Sequence, residues 1–332
     1  MDRFSAENYK SFDIPILNNL SEEFFIRKEE LCQKLALPGI VIEGQIQQLR
    51  ESGYNVLSDK EKGYRIISRP DSILPFEIKN KLTTSYIGKA VFYYPEVSST
   101  NIIAREIAQG KGYKVPEGTI VISDKQNSGK GRSGKKWASP PGGIWLSILL
   151  YPETISYHIS LITLMAAVVV ANTIEKLFQI RTQIKWPNDI LIKERKVCGI
   201  LTEMGTVAKG IEWVIVGIGI NANNDSTELP EDIQKSSISL KEITGKLIRR
   251  AEVVRLLCTE FERFYELLKR KEFSIITEKW KSYSNVIGKK IQVNTGNRVI
   301  SGEAIDINDR GGLILKTEYG DNLEIISGTV LK

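Results

Sequence analysis

The sequence predicts an α+β chain built in three successive parts, and three observations carry that expectation. At the start, two stretches with apolar residues at helical spacing precede two short strands around a polar turn. In the middle, strand-like and helix-like segments mix without an internal repeat. At the end, short alternating strands are broken at Thr295-Gly296, Arg310-Gly311-Gly312 and Tyr319-Gly320-Asp321. A chain of 332 residues also exceeds what one core usually supports.

The first part covers residues 1–66. RKEELCQKLAL, from Arg27, has helical periodicity and is broken by Pro38-Gly39; IVIEGQIQQLRESG reads as a second helix stopped by Gly53; YNVLSDKEKGYRII gives a hairpin. Helix, tight turn, helix and wing is the winged helix-turn-helix order. Pro70 and Pro75 mark a linker.

The second part covers residues 80–283. AVFYYPEV is a strand running into SSTNIIAREIAQG, a helix capped by Ser or Thr and closed by Gly110. GTIVISDKQ is a strand that feeds a basic loop, and GGIWLSILLY leaves it. A long helix over 158–178 precedes the strands TQIKWPNDILIK, KVCGILTEM and EWVIVGIGINAN, and helical segments return over 240–283. Residues 284–332 form a small all-β barrel.

Composition narrows the function. Apolar residues make up 42% and charged residues 26%, as in ordinary globular chains. The net charge of +6 is uneven: residues 1–70 hold ten Lys/Arg against eleven Asp/Glu, and the remainder 36 against 29. The body of the chain is therefore cationic, and its ligand should be an anion. The longest apolar run, LITLMAAVVVA from Leu161, is shorter than the roughly 20 residues a bilayer requires and reads as a buried helix. Asp2, Arg3 and Glu7 leave no apolar signal segment, so a cytoplasmic protein without a membrane partner is expected. Cys32, Cys198 and Cys258 lack metal spacing and fit reduced thiols. His158 is the sole histidine, and no G-x-S-x-G elbow exists to complete a triad with it.

The chemistry-bearing motifs lie where strands end. In GKGRSGKKW, Gly129, Gly134 and Lys135 fall on a Walker A frame, but Lys136 stands where a Mg²⁺-binding hydroxyl belongs. The prolines and glycines of Pro140-Pro141-Gly142-Gly143 cannot continue a helix, so the stretch works as a flexible basic loop. SSTN supplies hydroxyls and an amide at a helix start, where an N-cap is the alternative reading. KWPND could be a structural turn, and Lys196 in ERKVCG an exposed hairpin lysine. VGIGINA fits G-x-G-x-x-A, yet NNDSTELPED is too polar and turn-rich to be the helix of a dinucleotide site.

The succession SSTN, KQNSGKGRSGKKW, KWPND, RKVCGIL, VGIGIN resembles that of biotin protein ligases, in the longer form that adds a winged helix and doubles as a biotin operon repressor. The resemblance covers nearly the whole chain and is strongest from Ser98 to Asn223. It implies a central mixed-sheet, class II synthetase-like biotin/lipoate ligase catalytic domain and an SH3-like C-terminal barrel. It implies that biotin and ATP form biotinyl-5′-AMP with Mg²⁺, and that biotin then passes to a lysine of a biotin carboxyl carrier protein.

By the same resemblance, Ser99, Thr100, Asn101 and Gln126 line the biotin pocket; Lys130, Gly131 and Arg132 close over biotin and its adenylate. Lys196 neutralises carboxylate and phosphate, while Lys185 and Asp189 lie near the phosphates, the aspartate through Mg²⁺. With Arg132 these form the catalytic set. Trp137 stacks on adenine, Asn221 reads its edge, and Asn188 joins Lys185 on the ATP side. A homodimer of the adenylate-bound protein and an operator DNA are implied partners. Three departures stand out: Lys130 replaces the first Arg of G-R-G-R, Ser98 replaces Asp, and residues 38–49 contain no Lys or Arg. The rival readings are a lipoate or octanoate ligase of the same fold, and a non-catalytic biotin-sensing regulator.

Overall fold

The computed structural model describes residues 15–110, 114–152, 159–207 and 210–331. The chain forms two compact units, Met1–Lys81 and Leu82–Lys332. His158 and the N-terminal Asp2, Arg3 and Glu7 lie outside the described residues.

In the first unit a 3₁₀ turn, Pro15–Asn19, precedes helices α1 (Lys28–Leu35) and α2 (Gly39–Glu51) and the antiparallel strands β1 (Asn55–Asp59) and β2 (Gly63–Ser68). Helix α1 ends at Ala36 in the left-handed region, and extended Pro38 starts α2. Ile42, Ile46 and Leu49 follow the helical repeat and are buried with Ile16, Leu17, Leu31 and Ile66. Arg50 ties α2 to β1, donating to Val56 O at 2.9 Å and Ser58 Oγ at 2.6 Å. The segment expected as a bare linker contains a helix, α3 (Pro75–Lys79), with Pro75 in its first turn. Phe76 joins the core, and buried Glu77 accepts from Tyr54 Oη and from Arg69 at 3.1 Å.

The second unit contains the expected mixed sheet. Its elements run β3 (Val91–Val97), α4 (Thr100–Ala108), β4 (Thr119–Gln126), β5 (Ile144–Leu150), α5 (Ile159–Phe178), β6 (Gln183–Lys185), β7 (Asp189–Ile192), β8 (Arg195–Val207) and β9 (Gly210–Ile220). Among the described residues seven strands pair in the order β3-β4-β5-β9-β8-β7-β6, with β3 parallel to β4 and every other pair antiparallel. Strand β5, IWLSILL, lies inside the sheet and is buried throughout, which is why it reads as an apolar run broken only by Ser147.

Helix α5 is the one described helix long and apolar enough to cross a membrane, and most of it is buried inside this unit. It packs against β8 and against α8 (Arg250–Lys269) and α9 (Phe273–Tyr283), which follow the short helices α6 (Glu231–Gln234) and α7 (Leu240–Thr244). The helical region over 240–283 is thus three helices. A Ser239–Glu242 capping box opens α7, and Gly245, at φ 69°, stops it. The chain closes with β10 (Lys290–Asn294), β11 (Val299–Ile307), β12 (Leu313–Lys316), β13 (Asn322–Ile325) and β14 (Thr329–Val330). They form an antiparallel sheet in the order β13-β12-β11-β10-β14, with Val293, Ala304, Leu313 and Leu315 buried.

Candidate functional site

One cavity of about 280 Å³ in the second unit gathers every site residue singled out in the sequence. Ser99, Thr100 and Asn101 reach it from the start of α4, Gln126 from the end of β4, and Lys130, Gly131, Arg132 and Trp137 from the basic loop. Lys185, Asn188 and Asp189 come from the β6–β7 turn, Lys196 from the start of β8, and Asn221 from just beyond β9.

One end is neutral and polar. Ser99 occupies the N-cap position of α4 but makes no capping bond. Gln126 Oε1 instead accepts from the Thr100 N–H at 2.8 Å and from Thr100 Oγ1 at 3.2 Å, while its Nε2 donates to Ser139 Oγ at 2.7 Å. Ser147 Oγ donates to Asn101 Oδ1 at 2.6 Å and lies 2.7 Å from Thr100 Oγ1. Asn101 Nδ2 donates to Glu203 Oε2 at 2.7 Å and Leu201 O at 3.3 Å; Arg105 holds the other Glu203 oxygen. Sequence reasoning missed Ser147 and Glu203. The available signal was Ser147 itself, a hydroxyl inside a buried apolar strand that must find partners.

The other end is cationic. The basic stretch is a hairpin rather than an open loop: Lys130 bridges Lys136, the Gly131 N–H donates to Lys135 O at 2.7 Å, and the Trp137 N–H to Gly129 O at 2.8 Å. Its tip, Ser133 and Gly134, takes φ values of 53° and 73°. Arg132 donates to Asn188 Oδ1 at 3.3 Å and, in the terminal sheet region, to Gly328 O at 3.1 Å and Ser327 Oγ at 3.2 Å. Burial pulls its guanidinium below the usual arginine value and Asp189 opposes this; the ordinary value is so high that the group stays charged. Lys196 Nζ sits 2.7 Å from Asp189 Oδ1 and 4.9 Å from the Trp137 ring centroid. Its backbone is fixed by the segment before α7, through Ser236 O at 2.7 Å and the Ile238 N–H at 3.0 Å. Among the described lining residues, Lys130, Arg132, Lys135, Lys136, Lys185 and Lys196 face a single carboxylate, Asp189.

Between the two ends lies Trp137. Its indole crosses Gly199 and Gly219, where an added Cβ would come within 2.8 and 2.5 Å of the ring, and it meets Trp145 edge-on at 6.4 Å. A Cβ at Gly217 would crowd Asn101 Oδ1. The glycines of VGIGIN therefore make room for side chains on the cavity floor. No phosphate-binding helix follows them: Ser226–Glu228 is a 3₁₀ turn and α6 is one turn long. Asn221 is pinned through its backbone N–H to Val197 O at 2.8 Å, and its Oδ1 accepts from Asn224 at 3.3 Å.

Residues 97–221 match the biotin/lipoate A/B protein ligase family, and residues 286–332 match the biotin protein ligase C terminal domain. The chain is 37% identical over 297 residues to the bifunctional ligase/repressor BirA of Bacillus subtilis, covering 89% of this chain and 90% of that one. It is 27% identical to the Escherichia coli protein of the same name, over 87% of this chain and 88% of that one. Among solved structures, a biotin protein ligase from Aquifex aeolicus in complex with biotin and ATP superposes with a TM-score of 0.64 at 32% identity, covering 73% of this chain and 98% of that one. A polar pocket continuous with a cationic hairpin, on a fold and sequence matched over this length, places the chain in the biotin protein ligase family.

Proposed function

We infer that the protein is an ATP-dependent biotin protein ligase. One observation carries the reading: a neutral hydrogen-bonding pocket opens directly onto six cations within a single cavity. Biotin has the same two-part chemistry, a cyclic urea at one end and a carboxylate at the other.

The reaction joins two anions, which sets the site's task. A biotin carboxylate oxygen attacks the α-phosphorus of ATP, a P–O bond forms, and the bond to pyrophosphate breaks. Arg132, Lys185 and Lys196 offset the repulsion between carboxylate and phosphate, and their preorganisation on a hairpin and two strands limits reorganisation during attack. Lys196 is already paired with Asp189, so its ammonium is positioned before the ligand arrives. Trp137 offers an aromatic face for the purine beside Asn221. In the second step the ε-amine of a carrier lysine attacks the acyl carbon, an amide forms, AMP leaves with its bonding pair, and the amine loses a proton.

Among the described residues no three His, Cys, Asp or Glu side chains cluster as a metal site. One carboxylate in the cavity fits Mg²⁺ held mainly by substrate phosphates. Asp189 would supply the protein's ligand, and the ion would add phosphate charge neutralisation.

A repressor role for the first unit belongs to the same proposal, since two helices and a hairpin give the winged-helix order and the Bacillus relative is named a ligase/repressor. We extend it to the domain division 1–66, 80–283 and 284–332, an SH3-like last domain and an adenylate-promoted homodimer. The ligase reading is tested by incubating the protein with biotin, MgATP and a purified biotin carboxyl carrier domain. Mass spectrometry is expected to show one biotinyl group on the carrier lysine; an unmodified carrier contradicts the reading.

A further inference from the structure

The hydrogen bonds of Asn101 leave it one way to meet a ligand. The residue is only 3% exposed, so each polar atom must be satisfied inside the protein or by the ligand. Nδ2 carries two hydrogens, and both are taken: one by Glu203 Oε2 at 2.7 Å, the other by Leu201 O at 3.3 Å. A carboxylate and a carbonyl only accept, so the group facing them must be the nitrogen. Oδ1 has two lone pairs, and Ser147 Oγ uses one at 2.6 Å. Gly217, which lines the cavity, lies so close to this oxygen that any Cβ there would collide with it. What remains for a ligand is one acceptor and no donor.

Glu203 is what holds that arrangement. It stands on β8, whose partner β7 pairs with it only as far as Gly199, and Arg105 on α4 grips its second oxygen at 2.5 Å. Arg105 lies one helical turn beyond Asn101, so α4 presents both partners of the carboxylate on one face.

We propose that Glu203 is a positioning residue that fixes the Asn101 carboxamide with its oxygen toward the cavity, so that the site selects a ligand donating a ring N–H. This rests on the ligase reading, in which the ring is the urea of biotin. The substitution Glu203→Gln keeps the size but brings a donor. With Arg105 claiming the oxygen of the new side chain, its amide nitrogen faces Asn101 and favours the reversed carboxamide, which turns a donor toward the ligand.

The test measures biotin-dependent ATP–pyrophosphate exchange for the wild type and E203Q, with biotin and with a carbamate analogue in which oxygen replaces one ring N–H. The expected result is a roughly tenfold rise in the KM for biotin in E203Q, with kcat and the KM for ATP little changed. The preference for biotin over the carbamate should shrink by a similar factor, because a site built for an N–H rejects an analogue lacking it only while its acceptor stays in place. Arg105→Met leaves the carboxylate present but unheld, and is expected to shift the same ratio in the same direction by less. It carries the test if E203Q does not fold. An unchanged biotin preference in the folded variants, or equal losses for both compounds, overturns the proposal. Absence of biotin-dependent exchange in the wild type overturns the ligase reading and this one with it; exchange in the wild type with an unaltered variant overturns this one alone.

Discussion

Arg132 reaches from the basic hairpin to Asn188 on one side and to Ser327 and Gly328 on the other, so a single guanidinium ties the β6–β7 turn to the terminal sheet region. In the ligase reading it retains the reactive adenylate until a carrier lysine arrives. Arg132→Gly removes a charge-assisted contact worth roughly 1.5 to 3 kcal/mol. Adenylate release should then rise about tenfold to a hundredfold, and bystander proteins should become biotinylated; labelling confined to the carrier contradicts this. Trp137 plays a different part. Its ring lies over Gly199 and Gly219 with Lys196 Nζ 4.9 Å from its centroid, and in the ligase reading it takes the purine. Trp137→Ala should cost ATP about 1 to 3 kcal/mol of binding and biotin less, measured by calorimetry on each ligand. A larger loss for biotin would move the tryptophan to the other end of the cavity.

At the scale of elements, what was legible in the sequence was what interrupts the local pattern. SSTN, the basic stretch, KWPND and the glycines of VGIGIN each break an apolar strand or open a helix, so each stood out where a strand ends. Ser147 and Glu203 did not stand out, because the lone serine of IWLSILL and the Thr-Glu pair of GILTEM leave the strand-like run of apolar residues legible as a strand. Ser327 and Gly328 were hidden for another reason: their contact with Arg132 spans nearly 200 residues, and no local pattern encodes it. The Gln126 cap on α4 was missed likewise, since the adjacent Ser99 already looked like a cap. One element contact carries a pH dependence. Glu262 on α8 accepts the backbone N–H groups of Ser85, Tyr86 and Ile87; burial pushes its pKa up, but these bonds outweigh burial and leave the carboxyl below its usual value. The stability it adds is complete above the unfolded value of about 4.3 and is lost as pH falls through the lower folded value. Glu262→Gln should therefore cost about 1 kcal/mol at neutral pH and less in acid below the unfolded value, as read by denaturant unfolding at both. An equal cost at the two values contradicts it.

For the whole molecule, charge separates the two units' tasks. The cationic cavity belongs to the second unit, whereas helix α2 exposes Ile40, Val41, Gln47 and Gln48 and carries no cation before Arg50, which is turned to β1. Glu43 pairs with Lys28, leaving Lys60 and Lys62 as exposed cations at the hairpin turn. Glutamine and apolar side chains can read adenine and the thymine methyl, but few groups remain to neutralise phosphate. Binding to an operator should thus require biotin, ATP and the dimer, and its salt dependence should be shallow, with a slope of about −4 or less in log–log form. Tight binding by the ligand-free protein, or a slope near about −8, would contradict that account.

The central claim is that one cavity joins biotin to ATP. Its most direct measurement is exchange of labelled pyrophosphate into ATP by the purified protein. The account predicts exchange with biotin and Mg²⁺ together and none when either is withheld; no exchange with biotin, or equal exchange with lipoate, would contradict it.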